Sequence, residues 1–237
     1  MEAFHQHNER RMERRVLDLL ARGSVVSLIS DAGTPGISDP GAALVAVAAA
    51  ASHRVTTVPG ATALVAALVG SGLPTAPFMF LGFPPPKAGA RRRQLQELAG
   101  QRATLLFYIA PHDLLAFLND AVETLGPARR CCIARELTKL HEEYWRSSLA
   151  QARAEFGSRA AVRGEVVLVV EGAGEAAEAG DDEVLGALQA ELHRGQSPSA
   201  AAKSVASALN VSRKRAYQLS LQLSSSTGVF KPQTDAE

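Results

Sequence analysis

Short apolar runs alternate with amphipathic stretches along the first part of the chain. Apolar residues recur at helical spacing in some segments and form brief continuous runs in others, which predicts helices and buried strands in turn. The predicted strands lie at 25–29 and 54–58, and the predicted helices at 8–23, 41–51 and 61–69. Because the connections are short, this alternation favours a parallel sheet with helices on both faces and right-handed crossovers.

The pattern restarts after a proline-rich stretch near residue 75 and predicts a second α/β domain. Its predicted strands lie at 78–81, 104–109, 130–134, 143–147 and 165–171, and its predicted helices at 88–99 and 111–125. We therefore expect an α/β protein with a first domain at 1–75 and a second domain at 76–172.

The last part of the chain is helical in pattern. The glycine- and glutamate-rich stretch 173–180 is typical of a flexible linker. Helical signals with plausible caps follow at 181–194, 197–209 and 212–223, so a small helical appendage is expected at 181–224. The tail 225–237 has the composition of a disordered end.

Composition places the chain among ordinary globular proteins. Hydrophobic residues make up 46% and charged residues 21% of the 237 positions, which excludes a disordered polyelectrolyte. The formal net charge is +1, which argues against binding of polyanions through overall charge but leaves local basic patches open.

Cysteine usage and apolar run length exclude several other classes. The only cysteines are the neighbours Cys131 and Cys132, which cannot form a useful loop and lack zinc-site spacing. In the predicted strand one of them should face the core and the other the surface. No apolar run is long enough to span a bilayer, and the N-terminus lacks the apolar segment of a signal peptide, so we expect an intracellular protein without a membrane partner.

The strongest candidate for chemistry is the loop Asp31-Ala-Gly-Thr-Pro-Gly-Ile-Ser-Asp-Pro-Gly41. It follows a predicted strand and precedes a predicted helix, the position at which α/β sheets bind ligands. Its glycines allow close approach of the backbone, and Asp31 can accept hydrogen bonds from a ribose or an amine. A tight turn with Asp39 as helix cap before Pro40 is the alternative interpretation.

Three further segments carry candidate site residues. Pro59-Gly-Ala-Thr-Ala63 places helix amides at a strand end, where they can hold polar ligand groups or simply begin a helix. Ionisable residues crowd the segment 134–143, as a site or as a solvated charged surface. His5 and His7 are spaced as metal ligands, but no third ligand is evident and we predict no metal site.

Basic clusters predict contact with RNA, although each can equally be a solvated surface. They are Arg91-Arg92-Arg93, the arginines of the first helix, and Arg213-Lys214-Arg215 with Tyr217.

Several motifs in a fixed order resemble one known family, the ribosomal RNA small subunit methyltransferase I family of the tetrapyrrole methylase superfamily. The motifs are His5-Gln-His-Asn-Glu9, Ser30–Gly41, Pro59–Ala63, Ser71–Thr75, Leu81–Phe83, Phe107-Tyr108 with Pro111-His112, Ala134–Lys139, and Gly164-Glu165 through Gly172. The helical appendage also resembles the C-terminal extension of that family.

The resemblance implies two α/β domains of the tetrapyrrole methylase type. Family members begin with a strand, a Thr-Pro-Ile-Gly-Asn type loop, a helix and an acidic segment, whereas this chain begins at the His-Asn-Glu motif. We therefore expect a truncated first domain that lacks its N-terminal strand. Removing a strand exposes apolar faces and unpaired backbone groups, so low stability is expected for this chain alone.

The resemblance also implies an activity: transfer of a methyl group from S-adenosylmethionine to the ribose 2′-hydroxyl of a cytidine in small-subunit ribosomal RNA. The donor would lie between the two domains. The residues implied to bind it are Asp31, Ala32, Gly33, Ile37, Ser38, Thr62, Ala63, Phe107, Glu136, Leu137, Glu165 and Val166. Residues implied as catalytic candidates for activating the hydroxyl are His7, Glu9, Glu136 and Lys139.

Two alternatives stay open. The first is a tetrapyrrole (precorrin-type) methylase on the same fold, and the second is an inactive remnant that serves as a nucleic-acid-binding module. The resemblance implies a homodimer with the ribosomal subunit as partner. We expect the protein in the cytoplasm. If the source is a photosynthetic eukaryote, we expect it in a plastid, because His141–Arg146 resembles the cyanobacterial and plastid branch of the family.

Overall fold

A five-stranded mixed sheet organises the first of two units in the computed structural model, which describes residues 1–5, 7–174, 179–209 and 211–226. The units comprise residues 1–173 and 174–237. The strands of the described chain are β1 (Phe78–Phe80), β2 (Thr104–Ile109), β3 (Arg130–Arg135), β4 (Glu143–Ser148) and β5 (Val166–Val170). Their spatial order is β1-β2-β5-β3-β4; β1 and β2 are parallel and the other neighbours are antiparallel.

Helices flank the sheet in the first unit and form the second unit. They are α1 (Glu9–Ala21), α2 (Ala42–Ala50), α3 (Ala63–Ser71), α4 (Ala88–Leu98), α5 (Leu114–Leu125, after a 3₁₀ turn at Pro111–Asp113), α6 (Leu149–Ser158), α7 (Asp181–His193), α8 (Pro198–Ala208) and α9 (Arg213–Ser226). The α/β class is confirmed.

Helix α6 was not predicted from the sequence. Ser148 begins the helix by accepting a hydrogen bond from the backbone of Gln151, whose own side chain bonds back to the backbone of Ser148. This reciprocal pair satisfies amides that the first helical turn would otherwise leave unbonded.

Alternating side chains of the strands build two separate cores, one on each face of the sheet. Leu105, Phe107 and Ile109 of β2 pack with α4, α5 and α6, whereas Leu106 and partly buried Tyr108 lie on the opposite face with α3. The same alternation separates the two cysteines: Cys131 belongs to the first core and Cys132 to the second. Both are buried, so the expectation of one surface cysteine was wrong. Burial raises the pKa of Cys131 to about 12 and that of Cys132 to about 11, which keeps both thiols protonated.

The strands predicted at 25–29 and 54–58 are absent, and so is the parallel sheet predicted for residues 1–75. Both segments run without ladder hydrogen bonds to any described residue, and Val25 and Val58 are 95% and 88% exposed. An apolar run forms a strand only when a neighbouring strand pairs with it. These two segments have the composition of buried strands, but no described strand lies beside them to pair with.

Neither Asn8, at the start of α1, nor Asp39, the helix cap of the alternative interpretation, makes a side-chain capping bond. The Asn8 side chain accepts from the backbone of His5 and donates to the carbonyl of Ala3, and it makes no capping bond to α1. After Asp39 the chain continues through Gly41, with φ of 131°, before α2 begins at Ala42 without a side-chain cap. Side-chain-bearing residues rarely adopt this φ, and a Cβ at Gly41 would also lie 2.5 Å from Leu28 Cδ2, so the position favours glycine.

Helix α3 is fixed to the sheet by side chains of β4. The Tyr144 hydroxyl donates to the carbonyl of Ala66 at 3.2 Å, and Arg146 Nε donates to the carbonyl of Gly70 at 3.1 Å. A Cβ at Gly70 would overlap the Tyr144 ring. The earlier residue of β4, Tyr144, bonds to the earlier residue of α3, Ala66, and the later residue of β4 bonds to the later residue of α3. Helix α3 therefore runs in the same direction as β4. The N-terminus of α3 therefore points toward the sheet end at which β4 begins.

Helices α4 and α5 are joined by an ion pair that is almost completely shielded from solvent. Asp120 accepts from Arg91 Nε and from Arg92 Nε, each at 2.6 Å, and the side chains of Asp120 and Arg91 are 3% and 7% exposed. The two guanidinium groups lower the pKa of Asp120 against the opposing effect of its burial. Arg91 is therefore a buried structural residue and not an RNA contact.

The second unit has its own apolar core, to which α7, α8 and α9 all contribute. These helices match the predicted ones at 181–194, 197–209 and 212–223. Helix α9 extends to Ser226, two residues into the predicted disordered tail; residues 227–237, and 175–178 of the predicted linker, lie outside the described residues. The domain boundary predicted near residue 75 stays a prediction. Within the described chain, no helix is both long enough and apolar enough to cross a membrane.

Candidate active site

One end of the sheet carries a compact charged cluster formed by Glu136, Lys139 and Glu165. Glu136 Oε1 accepts from Lys139 Nζ and from the backbone amide of Glu165, both at 2.9 Å, while Lys139 Nζ also donates to Glu165 Oε2 at 3.0 Å. Glu136 immediately follows β3 and Glu165 immediately precedes β5. Because these strands are antiparallel and paired through Arg135 and Val166, the two glutamates lie side by side.

Electrostatics fixes the protonation states of Glu136 and Lys139. Hydrogen bonds from Lys139 and from the Glu165 backbone lower the pKa of Glu136, and bonds to both glutamates raise the pKa of Lys139. Lys139 is therefore an ammonium at neutral pH and acts as a hydrogen-bond donor. A role as proton acceptor would require it to lose a proton that two carboxylates stabilise.

The backbone of this loop is held in a sparsely populated conformation. Glu136 has φ of 51° and Thr138 has φ of 65°, in the left-handed region that side-chain-bearing residues avoid at a cost of about 1–3 kcal/mol each. The Thr138 amide donates to Glu142 Oε2 at 2.6 Å, which stabilises the turn. A Cβ at Gly164 would overlap the Glu136 side chain. The position of the Glu136 carboxylate thus requires glycine at 164.

A second ion-pair network supports the same sheet end. Glu143 accepts from Arg135 Nε at 2.9 Å and from both terminal nitrogens of Arg159, at 2.9 and 2.7 Å. These bonds, those from Arg159 first, lower the pKa of Glu143 to about 2. The network joins the end of β3, the start of β4 and the end of α6.

The loop 31–41 is an exposed, strongly curved segment. Gly33 and Gly36 have φ of 72° and 82°, and Ser38 has φ of 59° although it bears a side chain. Thr34 Oγ1 donates to the carbonyl of Ala61 at 3.2 Å, which ties this loop to the one before α3. Asp31, Ala32, Ile37 and Ser38 are all exposed and available to a ligand.

The first turn of α3 is also available for binding. Thr62 occupies the N-cap position in an extended conformation, and its side chain makes no capping bond. The turn can therefore offer amides to a carboxylate or a similar anionic group. Since the N-terminus of α3 points toward the Glu136 end of the sheet, Thr62 and Ala63 lie at the same end as the charged cluster. Leu137 packs against the core that contains α3, consistent with this placement.

Two of the catalytic candidates, His7 and Glu9, lie at the N-terminus of α1, and neither contacts the charged cluster. Glu9 Oε1 accepts weakly from the Gly41 amide at 3.4 Å, which links α1 to the end of the loop 31–41. His7 is exposed, and its ring lies edge-on to that of His5 at 6.0 Å. The structure therefore connects Glu9 with the loop and leaves His7 without a contact to the other candidates.

Phe107 does not present its side chain to a ligand. It is completely buried and packs against Phe117, with ring centroids 4.9 Å apart. Val166 is likewise 3% exposed and lies in the same core. Either residue can contribute to a ligand site only through its backbone.

The aromatic surface on the α3 side comes instead from Phe80, Phe83 and Tyr108, which sequence reasoning missed. The Tyr108 ring lies 4.9 Å from that of Phe80 and 5.7 Å from that of Phe83, and the Phe83 side chain is largely exposed. The alternation along β2 is the signal that predicts this: if Phe107 faces one core, Tyr108 faces the other.

The described residues include no group of three metal-binding side chains placed to hold an ion. The chemistry that this sheet end offers is instead an ammonium, carboxylates, free helix amides and aromatic faces. That set suits an organic ligand with charged and aromatic parts.

Comparison with known proteins places the chain in a family. The sequence profile of the tetrapyrrole (corrin/porphyrin) methylases matches residues 2–153. Ribosomal RNA small subunit methyltransferase I of Synechocystis is 41% identical over 223 residues, which cover 93% of this chain and 80% of the relative. The protein of the same name from Halalkalibacterium halodurans is 44% identical over 176 residues, which cover 74% of this chain and 60% of the relative.

Solved structures agree on the fold. The methyltransferase CobJ aligns with a TM-score of 0.54 at 23% identity, over 70% of this chain and 72% of that protein. A likeness at this identity shows the fold alone, whereas the sequence relatives and the matched profile identify the group. The chain therefore belongs to the tetrapyrrole methylases and, within them, to the ribosomal RNA small subunit methyltransferase I family.

Proposed function

We propose that this protein transfers a methyl group from S-adenosylmethionine to the ribose 2′-hydroxyl of a cytidine in small-subunit ribosomal RNA. The observation that carries the proposal is that the first turn of α3 and the Glu136–Lys139–Glu165 cluster lie toward the same sheet end, while Thr34 ties the exposed loop 31–38 to the segment just before α3. Membership of the family supplies the reaction class.

The residues present fit the donor. The α3 amides after Thr62 suit its carboxylate, the Asp31 carboxylate suits its ammonium or ribose hydroxyls, and the faces of Phe83 and Tyr108 suit its adenine. The exposed backbone at Gly33 allows close approach, since the nearest atom to a Cβ there is 3.9 Å away. Bound donor supplies a methyl sulfonium that is already strongly electrophilic.

The chain's own task is then to position and activate the acceptor hydroxyl. Alignment of the reacting groups supplies most of the acceleration in such a displacement. Lys139, held protonated by two carboxylates, stabilises the oxyanion character that develops on a ribose hydroxyl. Glu136 orients Lys139 and is a positioning residue. Glu9 and His7 remain the candidates for accepting the hydroxyl proton.

The test uses Lys139→Ala and Lys139→Arg with binding of S-adenosylhomocysteine and methyl transfer to small ribosomal subunits measured separately. We expect Lys139→Ala to lower kcat roughly 100-fold with little change in ligand affinity, and Lys139→Arg to retain a larger share of activity because it keeps the charge. Unchanged turnover in Lys139→Ala would remove Lys139 from the mechanism.

The acceptor class is tested by offering the same enzyme small ribosomal subunits and a precorrin-type tetrapyrrole. Methylation of the tetrapyrrole alone would replace the RNA proposal, and absence of both reactions would favour an inactive remnant. We further propose a homodimer that acts in the cytoplasm, and light scattering of the purified chain measures the first of these.

A further inference from the structure

The second unit contains a small basic pocket that the proposed methyl transfer does not use. Ser199 from the first turn of α8 and Arg213, Lys214 and Tyr217 from the start of α9 line it, with a volume of about 350 Å³. That volume lies at the lower end of the range for ligand sites and is sufficient for a phosphate group with part of its nucleoside.

The basic residues of α9 divide into one structural residue and two that face the pocket. Arg215 is engaged within the unit, where its Nη2 donates to Asp181 Oδ1 at 2.6 Å and to the carbonyl of Ala179 at 2.9 Å. This pair ties the start of α9 to the start of α7. It also engages Asp181, one of the acidic residues in the first turn of α7.

Arg213 and Lys214 have no carboxylate within ion-pair distance among the described residues. The nearest polar contact of Arg213 is Ser199 Oγ at 3.5 Å, a distance that leaves the guanidinium able to bind another acceptor. Two cations beside one hydroxyl form a site for an anionic oxygen group, and Arg presents a planar fork that suits phosphate.

Tyr217 adds a feature that a simple anion site does not need. Its side chain is 42% exposed and lies on the pocket wall beside the two cations. An aromatic face next to paired cations is the arrangement by which proteins hold single-stranded RNA, with a phosphate on the cations and a base on the ring. An acidic peptide would satisfy the cations but would leave the ring without a partner.

We propose that this pocket binds a phosphodiester group of single-stranded RNA, with the adjacent base against Tyr217, through residues other than those proposed for methyl transfer. The identity of that RNA as ribosomal rests on the proposed function, whereas the binding itself does not. In the other basic clusters, Asp120 holds Arg91 and Arg92, and Glu2 holds Arg15. The cluster on α9 is the stronger RNA candidate because its two cations share a pocket with an exposed aromatic ring.

The test measures binding of a short fluorescent oligoribonucleotide of mixed sequence to the full chain by anisotropy over a series of salt concentrations. For Arg213→Gln/Lys214→Gln we expect a roughly tenfold or greater rise in Kd and a salt slope smaller by about 0.7, since one phosphate contact is lost and each such contact contributes about 0.7 on single strands. For Tyr217→Ala we expect a rise of roughly tenfold, with Tyr217→Phe near wild type.

The matched control is Lys87→Gln/Arg153→Gln, which removes the same charge at exposed positions of the first unit and should leave both Kd and slope unchanged. Thermal unfolding of every variant confirms that the second unit remains folded. Wild-type affinity and salt slope in Arg213→Gln/Lys214→Gln would overturn the proposal. It would also be overturned if polyglutamate of equal charge displaced the RNA while Tyr217→Ala had no effect on binding. That second result would indicate an acidic protein partner. RNA binding that depends on the pocket in a chain without methyl transfer would uphold this inference while the proposed function fails.

Discussion

Truncating two neighbouring aromatic residues on β2 is predicted to affect different properties of the protein. Phe107 is completely buried between the sheet and α5, where it packs against Phe117. Tyr108 lies on the other face, beside Phe80 and Phe83, at the sheet end proposed to bind the methyl donor. Phe107→Ala should therefore act on stability, and Tyr108→Ala mainly on donor binding.

The magnitudes follow from burial. Phe107→Ala removes a fully enclosed ring and leaves a cavity, so it should lower the free energy of unfolding by about 3–5 kcal/mol. Tyr108→Ala removes a partly exposed ring and its edge contacts, which should lower that free energy by only about 1–2 kcal/mol. Affinity for S-adenosylhomocysteine should fall roughly tenfold in Tyr108→Ala, because an aromatic contact with the adenine is lost.

The assay pairs urea unfolding with calorimetric titration of S-adenosylhomocysteine. Since Phe107→Ala lowers stability strongly, Phe107→Leu serves as a milder variant that keeps most of the apolar volume and should bind the ligand normally. Tyr108→Phe keeps the ring and should retain most of the affinity. If Phe107→Leu lost ligand affinity at unchanged stability while Tyr108→Ala bound normally, the assignment of the two faces would be refuted.

Three further predictions concern the loops and the ion pairs. Gly164→Ala should displace the Glu136 carboxylate and reduce methyl transfer from radiolabelled donor at least tenfold. Full activity of this variant would show that the position of the carboxylate does not depend on glycine at 164. Glu143 has a pKa of about 2 in the folded protein against an ordinary value of 4.5, so its charge stabilises the fold above pH 4.5 and this effect is lost as the pH falls toward 2. Glu143→Gln should therefore reduce the change in the free energy of unfolding between pH 4.5 and 2 by at most about 3 kcal/mol. The exposed control Glu97→Gln should not reduce it. Amides at 25–30, which donate no hydrogen bond within the described chain, should exchange with deuterium far faster than those of β2, and equal protection would contradict the unpaired state.

Much of the sheet was predictable because its pattern is local. The run Thr104–Ile109 matches β2 residue for residue, and the alternation at Cys131 and Cys132 correctly places them on opposite faces. The pattern cannot supply the pairing partner that a strand needs, which is why the apolar runs 25–29 and 54–58 were predicted as strands and are not. Helix α6 escaped prediction because it follows β4 without any glycine or proline between them.

The site was predictable in composition and not in geometry. The charged segment 134–143 is evident in the sequence, but the partner that fixes Glu136 is Glu165, which lies 29 residues later and reaches it only through strand pairing. The left-handed backbone at Glu136 has no sequence signal, since glutamate rarely adopts it. Phe107 was named as a donor-binding residue from the family resemblance alone. The alternation along the strand shows that Phe107 and Tyr108 face opposite sides, but it does not show which side carries α3.

The most direct test of the central claim is the chemical identity of the methylated product. The purified chain is incubated with small ribosomal subunits and donor labelled in its methyl group, and the RNA is then digested to nucleosides. The proposed mechanism predicts label in 2′-O-methylcytidine, with a strong reduction in Lys139→Ala. Label in a base-methylated nucleoside, or label that enters a tetrapyrrole and leaves the RNA unlabelled, would contradict it.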